Sequence, residues 1–439
     1  MAESNEDAVT DQVQLRPSVP ALVLEVHHGS LGIARSLGRQ GVTVHGVDAD
    51  VTLPGFRSRY FRGAHAWDLL REPPDRTVSF LQNLGKKLGA GTLLIPTSDE
   101  TTAFVASNAD ALAEHFVFAR QSPDLIAKLT SKEENYHLAE SVGVPVPETR
   151  FPKSATDVRE FCGRAAFPIM LKGIEGRRLF ERTGHKMLIV RTPNELLEAY
   201  EWMEDPNDPN LMLQELIPGG DDTIWIFNGY FDAKSECRCA FTGRKLRQTP
   251  PHMGSTSLGI CEQNDTVERM TIDFMRKIGY TGILDIGYRY DARDGRYKLL
   301  DPNPRVGSTF RLFVGTNGMD VIRYLYMDKT GQTLPSTTPR QGRKWFVEES
   351  DFESFTIYRR EGQLGLLEWL KSFRGVEESA WFAWDDMKPF WPTAWSILKR
   401  STRWLGRAIL RRPGPGRPMQ AGPSGSETSA PPREAVGAD

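Results

Sequence analysis

The stretch YKLLDPNPR, residues 297–305, ends an apolar run in a row of polar side chains. Side chains alternate between two faces along an extended chain, so Asp301, Asn303 and Arg305 point to the same side. The two prolines between them favour an extended backbone, because the residue before a proline is disfavoured in the helical region. The stretch therefore predicts a strand that presents an acid, an amide and a guanidinium together.

A second strand is predicted directly before this one, with a hairpin turn at Asp294-Gly295 between them. Folding back at this turn brings Asp285 of the first arm towards Asp301 and Asn303 of the second. Two carboxylates and an amide oxygen are hard ligands that suit Mg²⁺, which binds through a few carboxylates and nucleotide phosphates. Metal and phosphate chemistry is therefore favoured over a solvent-exposed polar face.

Strand-like and helix-like patterns alternate in the first hundred residues. The apolar runs ALVLEV (21–26) and VTVHGVD (42–48) flank a helical pattern, and TLLIPTSDE (92–100) is a further strand that ends in polar residues. A β-α-β order predicts a parallel sheet. We therefore predict a doubly wound α/β domain over residues 20–125.

The pattern changes after this domain. FPIMLKGIEG (167–176) and HKMLIVRT (185–192) are typical of antiparallel strands, and further strand-like runs follow them. We predict an α+β domain over residues 126–335, with a smaller lid subdomain at about 145–210. The predicted fold class is thus α/β followed by α+β.

Both ends of the chain have a different composition. Residues 1–19 and 413–439 are predicted to be disordered, because they hold few apolar residues and many polar residues, Gly or Pro. Residues 336–412 are predicted to form a helical region. Its last part, 388–412, is basic and rich in Trp, and two interpretations stay open: it makes peripheral contact with an anionic membrane, or its Trp side chains dock on the body of the protein.

Composition excludes several classes of protein. Hydrophobic residues at 39% and charged residues at 26% are typical of a soluble globular protein, and the formal net charge of −2 gives no reason to expect a nucleic-acid partner. The N-terminus has no signal-peptide pattern and no apolar run approaches a membrane span, so a cytoplasmic location is expected. The four cysteines lack zinc-ligand spacing, so buried free thiols are expected.

Lysines supply a complementary charge. Lys172 ends the apolar strand FPIMLK, where a charge is costly to bury, and the glycine-rich and basic segment 173–186 follows it. Such a segment is typical of a flexible lid over phosphates, and it is also typical of a surface loop between two strands. Lys132, near a predicted helix start, has no signal of its own.

Together these motifs resemble the ATP-grasp superfamily over most of residues 20–330, with LQELIPG (213–219) matching the hinge that contacts adenine. The resemblance implies two α+β lobes that hold ATP between them, preceded by a separate α/β domain. The ATP contacts that it implies are Lys132, Lys172, Gly173, Gly176, Lys186, Gln214, Glu215, Ile217 and Asp222. The metal ligands that it implies are Asp285, Asp301 and Asn303.

More narrowly, the segments GSLGIARSLGRQGVTVHGVD, IPTSDE and GRKLRQTPPHMG resemble the carboxylate–amine ligase branch that includes D-aspartate ligases. This resemblance implies that Arg305, Lys245 and Arg247 bind the acid substrate or the transferred phosphoryl group. It also implies that Ser30 and the run SDE at 98–100 line the substrate pocket. From the residues alone, a charged strand edge explains Lys245 and Arg247 equally well.

The implied activity is that of an ATP-dependent ligase. It activates a small carboxylic acid as an acyl phosphate, joins it to an amine, and releases ADP and phosphate. ATP and Mg²⁺, or Mn²⁺, are the implied cofactors. Two alternatives stay open: another carboxylate-activating enzyme, such as a carboxylase or a dipeptide ligase, and a non-catalytic ATP-binding factor at a membrane.

Overall fold

Residues 12–399 are described by the structure, a computed structural model, and their strands form three sheets. The first sheet is parallel, in the spatial order third, second, first, fourth and fifth strand. Its strands are β1 (Ala21–Leu24), β2 (Val44–Asp48), β3 (Phe61–Ala66), β4 (Thr92–Pro96) and β5 (Phe116–Val117). The helices among them are α1 (His28–Gly38), α2 (Pro74–Leu88), α3 (Asp99–Ser107) and α4 (Ala109–Leu112).

The connections of β1 identify a crevice in this sheet. β1 is fully buried, as its continuous apolar run predicts, and it pairs with both β2 and β4. The direction of winding therefore reverses between β1 and β4. In open α/β sheets, ligands bind beyond the carboxyl ends of the strands at such a reversal.

The second sheet has four antiparallel strands in the order β6-β9-β7-β8. They are β6 (Thr149–Arg150), β7 (Ile169–Gly173), β8 (Met187–Val190) and β9 (Leu211–Glu215). Two helices precede this sheet in the sequence, α5 (Pro123–Thr130) and α6 (Lys132–Ser141). Three more connect its strands, α7 (Ala155–Cys162), α8 (Gly176–Thr183) and α9 (Pro193–Met203).

The third sheet has seven strands in the order β14-β13-β10-β11-β12-β15-β16. They are β10 (Ile224–Phe231), β11 (Cys237–Thr249), β12 (Ser255–Cys261), β13 (Gly282–Asp291), β14 (Arg296–Asn303), β15 (Lys344–Phe346) and β16 (Val376–Ser379). The helices of this part are α10 (Asp265–Lys277), α11 (Val321–Lys329), α12 (Glu348–Arg360) and α13 (Leu366–Ser372). A parallel sheet followed by sheets that are antiparallel, apart from the parallel pair β15–β16, confirms the predicted fold class.

Residues 344–379 extend the third sheet, which the sequence did not indicate. β15 pairs with β12, and β16 pairs with β15. Strands of three and four residues are too short to show a period, so a separate helical region was predicted there. The described residues up to Ile397 form one compact unit, and Leu398 begins a second unit. The predicted domain boundaries within the first unit stay predictions.

The prediction of disorder is wrong for residues 12–19. Leu15 is buried and its N–H donates to Gln40 Oε1, while the N–H groups of Ser18 and Val19 donate to Tyr326 Oη. These partners are far away in sequence, so composition could not reveal them. Residues 1–11 and 413–439, which are also predicted to be disordered, lie outside the described residues. No helix between residues 12 and 399 is long and apolar enough to cross a membrane.

Candidate functional site

The hairpin that the sequence predicts is present, and its register brings the three predicted metal ligands together. Asp285 on β13 lies opposite Asn303 on β14, and Asp301 lies opposite Gly287. Gly295 has the positive φ of 70° that the turn requires. One end of the hairpin therefore holds two carboxylates and an amide side by side.

Asp285 and Asp301 both have pKa values raised by burial. Burial raises the pKa of Asp285 to about 6, against the opposing charges of Arg305 and Lys245. Burial also raises the pKa of Asp301, and Lys172 is its main opposing charge. Asp301 is nevertheless exposed as a residue, and the charges of Lys172, Lys132 and Arg305 act on its carboxylate. A bound cation would lower the cost of keeping both acids charged.

A neighbouring strand adds a residue that sequence interpretation missed. Asn228 on β10 lies opposite Asp285, so Asn228, Asp285 and Asn303 form a row across three strands. Asn228 is fully buried, and its Nδ2 lies 3.5 Å from Asp285 Oδ2. Within the described chain its Oδ1 has no hydrogen-bond partner, which is costly for a buried acceptor. The feature of the sequence that could have indicated Asn228 is its position as an amide inside the apolar run IWIFNGYF.

The donor set fits Mg²⁺. Asp285, Asp301 and Asn303 offer oxygen ligands, and the unused acceptor of Asn228 lies beside them. In residues 12–399 no three His, Cys, Asp or Glu side chains are grouped as a metal site. Few carboxylates suit Mg²⁺ when phosphates complete its coordination.

Lys132 and Lys172 lie within electrostatic range of Asp301. Burial lowers the pKa of Lys172 to about 8, and Asp301 opposes that shift. Lys132 Nζ donates to Gly173 O at 2.6 Å, and a Cβ added at Gly176 would lie 3.7 Å from this Nζ. The start of α8 therefore lies beside Lys132. Two ammonium groups and a helix N-terminus form a positive site that suits phosphates.

The predicted glycine loop at 173–186 is wrong in its conformation. The helix α8 occupies Gly176–Thr183, and Gly184 ends it with a φ of 73°. Gly176 begins this helix and Gly184 follows its last residue, and the residues between these two glycines favour a helix. Lys186 is exposed, with its Nζ 5.9 Å from the Phe180 ring, so the structure does not bring it to the other two lysines.

The hinge residues on β9 are held by protein partners. Glu215 accepts hydrogen bonds from Lys298 Nζ at 2.9 Å and from Arg293 Nη2 at 2.5 Å. Gln214 is buried, and its Nε2 donates to Thr149 Oγ1 at 2.9 Å. The main-chain N–H groups of Glu215 and Leu216 are engaged as well, since they donate to Glu148 O at 2.9 Å and to Pro168 O at 3.2 Å. The adenine contacts of Gln214 and Glu215 therefore stay predictions.

The chain turns sharply after the hinge. Ile217 is buried, and Asp222 is exposed in the turn before β10. The neighbouring Asp221 accepts hydrogen bonds from Gln248 Nε2 at 2.9 Å and from the Tyr358 hydroxyl of α12. Helix α12 thus fixes this turn, and the ribose contact of Asp222 stays a prediction.

A β-bulge separates Lys245 from Arg247. The pairing of β11 with β12 shifts between these two residues. Burial lowers the pKa of Lys245 against the opposing charge of Asp285, and its Nζ donates to Gly254 O at 2.9 Å. Arg247 is buried in a double hydrogen bond with Asp351, at 2.7 and 3.0 Å. The prediction that Arg247 joins Lys245 in the site is wrong, because the extra residue cancels the alternation of faces.

Arg305 connects the hairpin to the first sheet. Its Nε donates to Asp99 Oδ1 at 2.7 Å, and its Nη2 donates to Asn303 Oδ1 at 3.0 Å. Asp99 is the first residue of α3, directly beyond β4. Burial lowers the pKa of His27, which precedes α1, to about 4, and Arg305 adds to the shift. The candidate site therefore reaches the crevice at the ends of β1 and β4.

Two serines predicted to line the substrate pocket, Ser30 and Ser98, make hydrogen bonds within the protein instead. Ser30 is fully buried and its hydroxyl donates to Glu25 O at 2.7 Å, so the prediction that it lines the pocket is wrong. The Ser98 hydroxyl accepts the Thr101 N–H at 3.1 Å as the cap of α3. Glu25 was missed: it has a φ of 66°, burial raises its pKa, and its Oε2 has no partner in the described part of the chain. Left-handed backbone at a non-glycine residue is often found at functional sites.

The chain has the ATP-grasp fold, and solved structures with this fold match it over most of its length. One is the biotin carboxylase domain of 2-oxoglutarate carboxylase from Hydrogenobacter thermophilus, in complex with MgADP, ADP and bicarbonate; it is 15% identical, has a TM-score of 0.57, and 74% of each chain is covered. Another is N5-carboxyaminoimidazole synthetase from Staphylococcus aureus with ADP; it is 12% identical, has a TM-score of 0.57, and 75% of this chain and 82% of that chain are covered. No protein-family profile matches the sequence.

Among curated proteins the chain is similar to the D-aspartate ligase of Enterococcus faecium (strain Aus0004). The two are 26% identical over 246 residues, which are 54% of this chain and 58% of the ligase. The match thus spans less than two thirds of that relative. The predicted ATP-grasp fold is confirmed, and the assignment to the ligase branch stays a proposal.

Replacing Lys172 with Met is expected to stabilise the nucleotide-free protein while it weakens ATP binding. Burial lowers the pKa of Lys172 from 10.5 to about 8, so the folded state at pH 7 holds a charge at a cost. Removing it should raise the free energy of unfolding by about 1–3 kcal/mol at pH 7. The gain should be complete below pH 8 and disappear towards pH 10.5, which urea unfolding at several pH values would measure.

Lys186→Met is the matched control, because it makes the same substitution at an exposed lysine. We expect it to change the free energy of unfolding by less than about 0.5 kcal/mol. ATP affinity, measured by calorimetry, should fall at least about tenfold in Lys172→Met and hardly change in Lys186→Met. Equal effects of the two substitutions would contradict the placement of Lys172 in a phosphate site.

Proposed function

We propose that this protein is an ATP-dependent ligase that activates a carboxylate as an acyl phosphate and joins it to an amine. The observation that carries the proposal is the convergence of Asp285, Asp301 and Asn303 in a cleft that also holds Lys132 and Lys172. Oxygen ligands and ammonium groups gathered in one cleft suit a metal-bound triphosphate. The similarity to a D-aspartate ligase supports the ligase reaction.

In this proposal the lysines and the start of α8 hold the phosphates. Lys132 lies beside Gly176, the first residue of α8, where main-chain N–H groups are available to an anion. Main-chain groups of residues 214–217 hold the base, and Asp222 contacts the ribose. Mg²⁺ or Mn²⁺ held by Asp285, Asp301 and Asn303 would neutralise negative charge that develops on the phosphates.

Arg305 and Lys245 hold the acid substrate. Asp99 and Asn303 fix the guanidinium of Arg305, whose remaining donors match two oxygens of a carboxylate. Lys245 is buried near Asp285 and adds an ammonium group. An oxygen of the bound carboxylate attacks the γ-phosphorus, the bond to the β-phosphate oxygen breaks, and ADP leaves.

The amine enters through the crevice at the ends of β1 and β4. Glu25 adds a carboxylate to this crevice, which attracts an ammonium group. Burial raises the pKa of Glu25, so its carboxylate is suited to take a proton from the incoming amine. The amine nitrogen then attacks the acyl carbon and expels phosphate. Water must be kept out of the cleft, because water would attack the acyl phosphate in place of the amine.

The reaction is tested in two stages. Release of ADP is first measured over a matrix of acids and amines, with D-aspartate among the acids because of the curated relative, and with bicarbonate as the carboxylase alternative. The acid that responds is then labelled with oxygen-18 in its carboxylate. We expect one labelled oxygen in the released phosphate per turnover, because the carboxylate oxygen that attacks phosphorus leaves with it. Amide formation with unlabelled phosphate would contradict the acyl-phosphate mechanism.

A further inference from the structure

A half-buried arginine lies on the face of the third sheet that carries the predicted metal ligands. Arg289 is on β13, four residues after Asp285, and β13 pairs with β10 without a register shift from Gly282 to Arg289. Side chains at even spacing along a strand share a face, so Arg289 points to the same side as Asp285. At a rise of about 3.3 Å per residue, the two positions are about 13 Å apart along the strand.

The guanidinium of Arg289 reaches the turn that follows the hinge. Its Nη2 donates to Gly219 O, and the charges of Asp221 and Asp222 act on it. Asp222 is the residue predicted to contact the ribose of ATP. Arg289 therefore connects the strand that carries Asp285 to the turn at the adenine end of the predicted nucleotide site.

One buried donor of this guanidinium has no partner. The Nε of Arg289 is buried and makes no hydrogen bond within the described chain. Burial lowers the pKa of Arg289 against the opposing charges of Asp221, Asp222 and Asp291, none of which forms an ion pair with it. An unpaired buried donor on a charged group is costly. The site therefore favours a ligand that supplies an acceptor.

The neighbouring cation on this face is fully engaged. Lys298 lies opposite Arg289 on β14, and its Nζ donates to Glu215 Oε1 at 2.9 Å and to Asp291 Oδ2 at 2.7 Å. The charge of Lys298 is thus neutralised inside the protein, whereas the guanidinium beside it keeps a buried donor open. This difference indicates that an acceptor from outside the chain completes the contacts of Arg289.

Space for a ligand is present between Arg289 and Asp285. Gly287 lies between them on the same face, and a Cβ added there would have Leu300 Cβ, at 4.0 Å, as its nearest contact in the described chain. Asp301 lies opposite Gly287 on β14. A glycine within a strand allows a ligand to approach the backbone closely.

We propose that Arg289 is a nucleotide-binding residue whose guanidinium donates to an oxygen of the ribose or of the α-phosphate of ATP. In the proposed function the base lies at the hinge and the outer phosphates lie at the metal ligands. The ribose and the α-phosphate then span the strand between Gly219 and Asp285. Both offer oxygen acceptors, and phosphate oxygens match the donors of a guanidinium. This proposal rests on the proposed function, because ATP is its ligand.

The affinity of the full-length protein for adenosine, AMP and ATP tests the proposal, by displacement of a fluorescent ATP analogue. Arg289→Met should weaken ATP binding at least about tenfold. An equal loss for adenosine identifies the ribose as the acceptor, and a severalfold larger loss for AMP than for adenosine identifies the α-phosphate. ATP and AMP affinities within about threefold of the wild-type values, or a loss for ATP alone, would overturn the proposal.

Two control variants separate contact with the nucleotide from a structural role. Arg296→Met removes an exposed arginine of the same hairpin and should leave all three affinities unchanged. Tyr358→Phe removes the hydroxyl that donates to Asp221, so it loosens the turn after the hinge and leaves the guanidinium in place. A loss of ATP affinity in Tyr358→Phe as large as that in Arg289→Met would show that Arg289 only holds the turn, and would overturn the proposal.

Urea unfolding of the nucleotide-free protein provides a second readout. The midpoint of Arg289→Met should equal or exceed the wild-type midpoint, because this variant no longer buries an unpaired charged donor. A lower midpoint with equal losses for adenosine, AMP and ATP would assign a structural role and overturn the proposal.

Lys172→Met separates this proposal from the proposed function. ATP affinity that depends on Lys172 and not on Arg289 would refute the Arg289 contact alone. Absence of ATP binding by the wild-type protein would refute both the contact and the proposed function.

Discussion

Replacing Asp301 with Asn is expected to lower turnover by about two to four orders of magnitude while the protein stays folded. Asn keeps the shape of the side chain but has no charge. The charge that is lost interacts with Lys172 and Lys132 and with the other predicted acidic ligand, Asp285. ADP release at saturating ATP and Mg²⁺ measures the effect. Unchanged ADP release would contradict the metal assignment.

Stability provides an independent readout of the same variant. Burial raises the pKa of Asp301 above its ordinary value of 3.8, so at pH 7 the charged carboxylate costs folding free energy. The neutral amide removes that cost, and the free energy of unfolding should stay equal or rise. Asp294→Asn at the other end of the same hairpin is the matched control, since Asp294 is exposed at the turn. Its turnover should stay within about twofold of the wild-type value.

Arg305→Lys is expected to lower turnover about a hundredfold while ATP affinity changes by less than about threefold. Lysine keeps the positive charge but lacks the planar guanidinium. The guanidinium of Arg305 binds Asp99 and Asn303 at the same time and has further donors left for an acid. Turnover and the KM of the acid are measured at saturating ATP, and the ATP Kd is measured by calorimetry. A loss of ATP affinity as large as the loss of turnover would instead place Arg305 on the nucleotide.

Arg244→Lys is the matched control for this change. Arg244 precedes Lys245 on β11, and its guanidinium donates twice to Glu262 Oε2, at 2.9 and 2.7 Å. It therefore makes a comparable contact with an acid on the other face of the strand. Turnover and ATP affinity should both stay close to the wild-type values.

Local patterns in the sequence predicted those parts of the site that depend on neighbouring residues. The Asp294-Gly295 turn and the alternation in LLDPNPR were enough to bring Asp285 close to Asn303, because a tight turn sets the register of its own hairpin. The β-α-β order of the first fifty residues likewise predicted the parallel sheet around β1. Lys172 at the end of an apolar strand predicted a buried charge near this site.

Other parts of the site depend on contacts between distant segments. Asn228 joins the acids because β10 pairs with β13, and these strands are separated by two further strands and a helix in the sequence. The bulge in β11 turns Arg247 towards Asp351, more than a hundred residues later, and away from Lys245. A strand pattern alone does not show an inserted residue, because the register depends on the partner strand.

The sequence by itself determined the hairpin with its acids and amide, the parallel first sheet and the burial of Lys172, because turn residues and periodicity act over a few neighbouring positions. The tertiary structure alone decided that Ser30 is fully buried while a buried carboxylate oxygen of Glu25 is left unpaired within the described chain. It also decided that residues 344–379 complete the third sheet and that Trp384 is exposed. Each of these depends on which distant segments pack together, and packing free energy is shared over many long-range contacts that no single stretch of sequence contains.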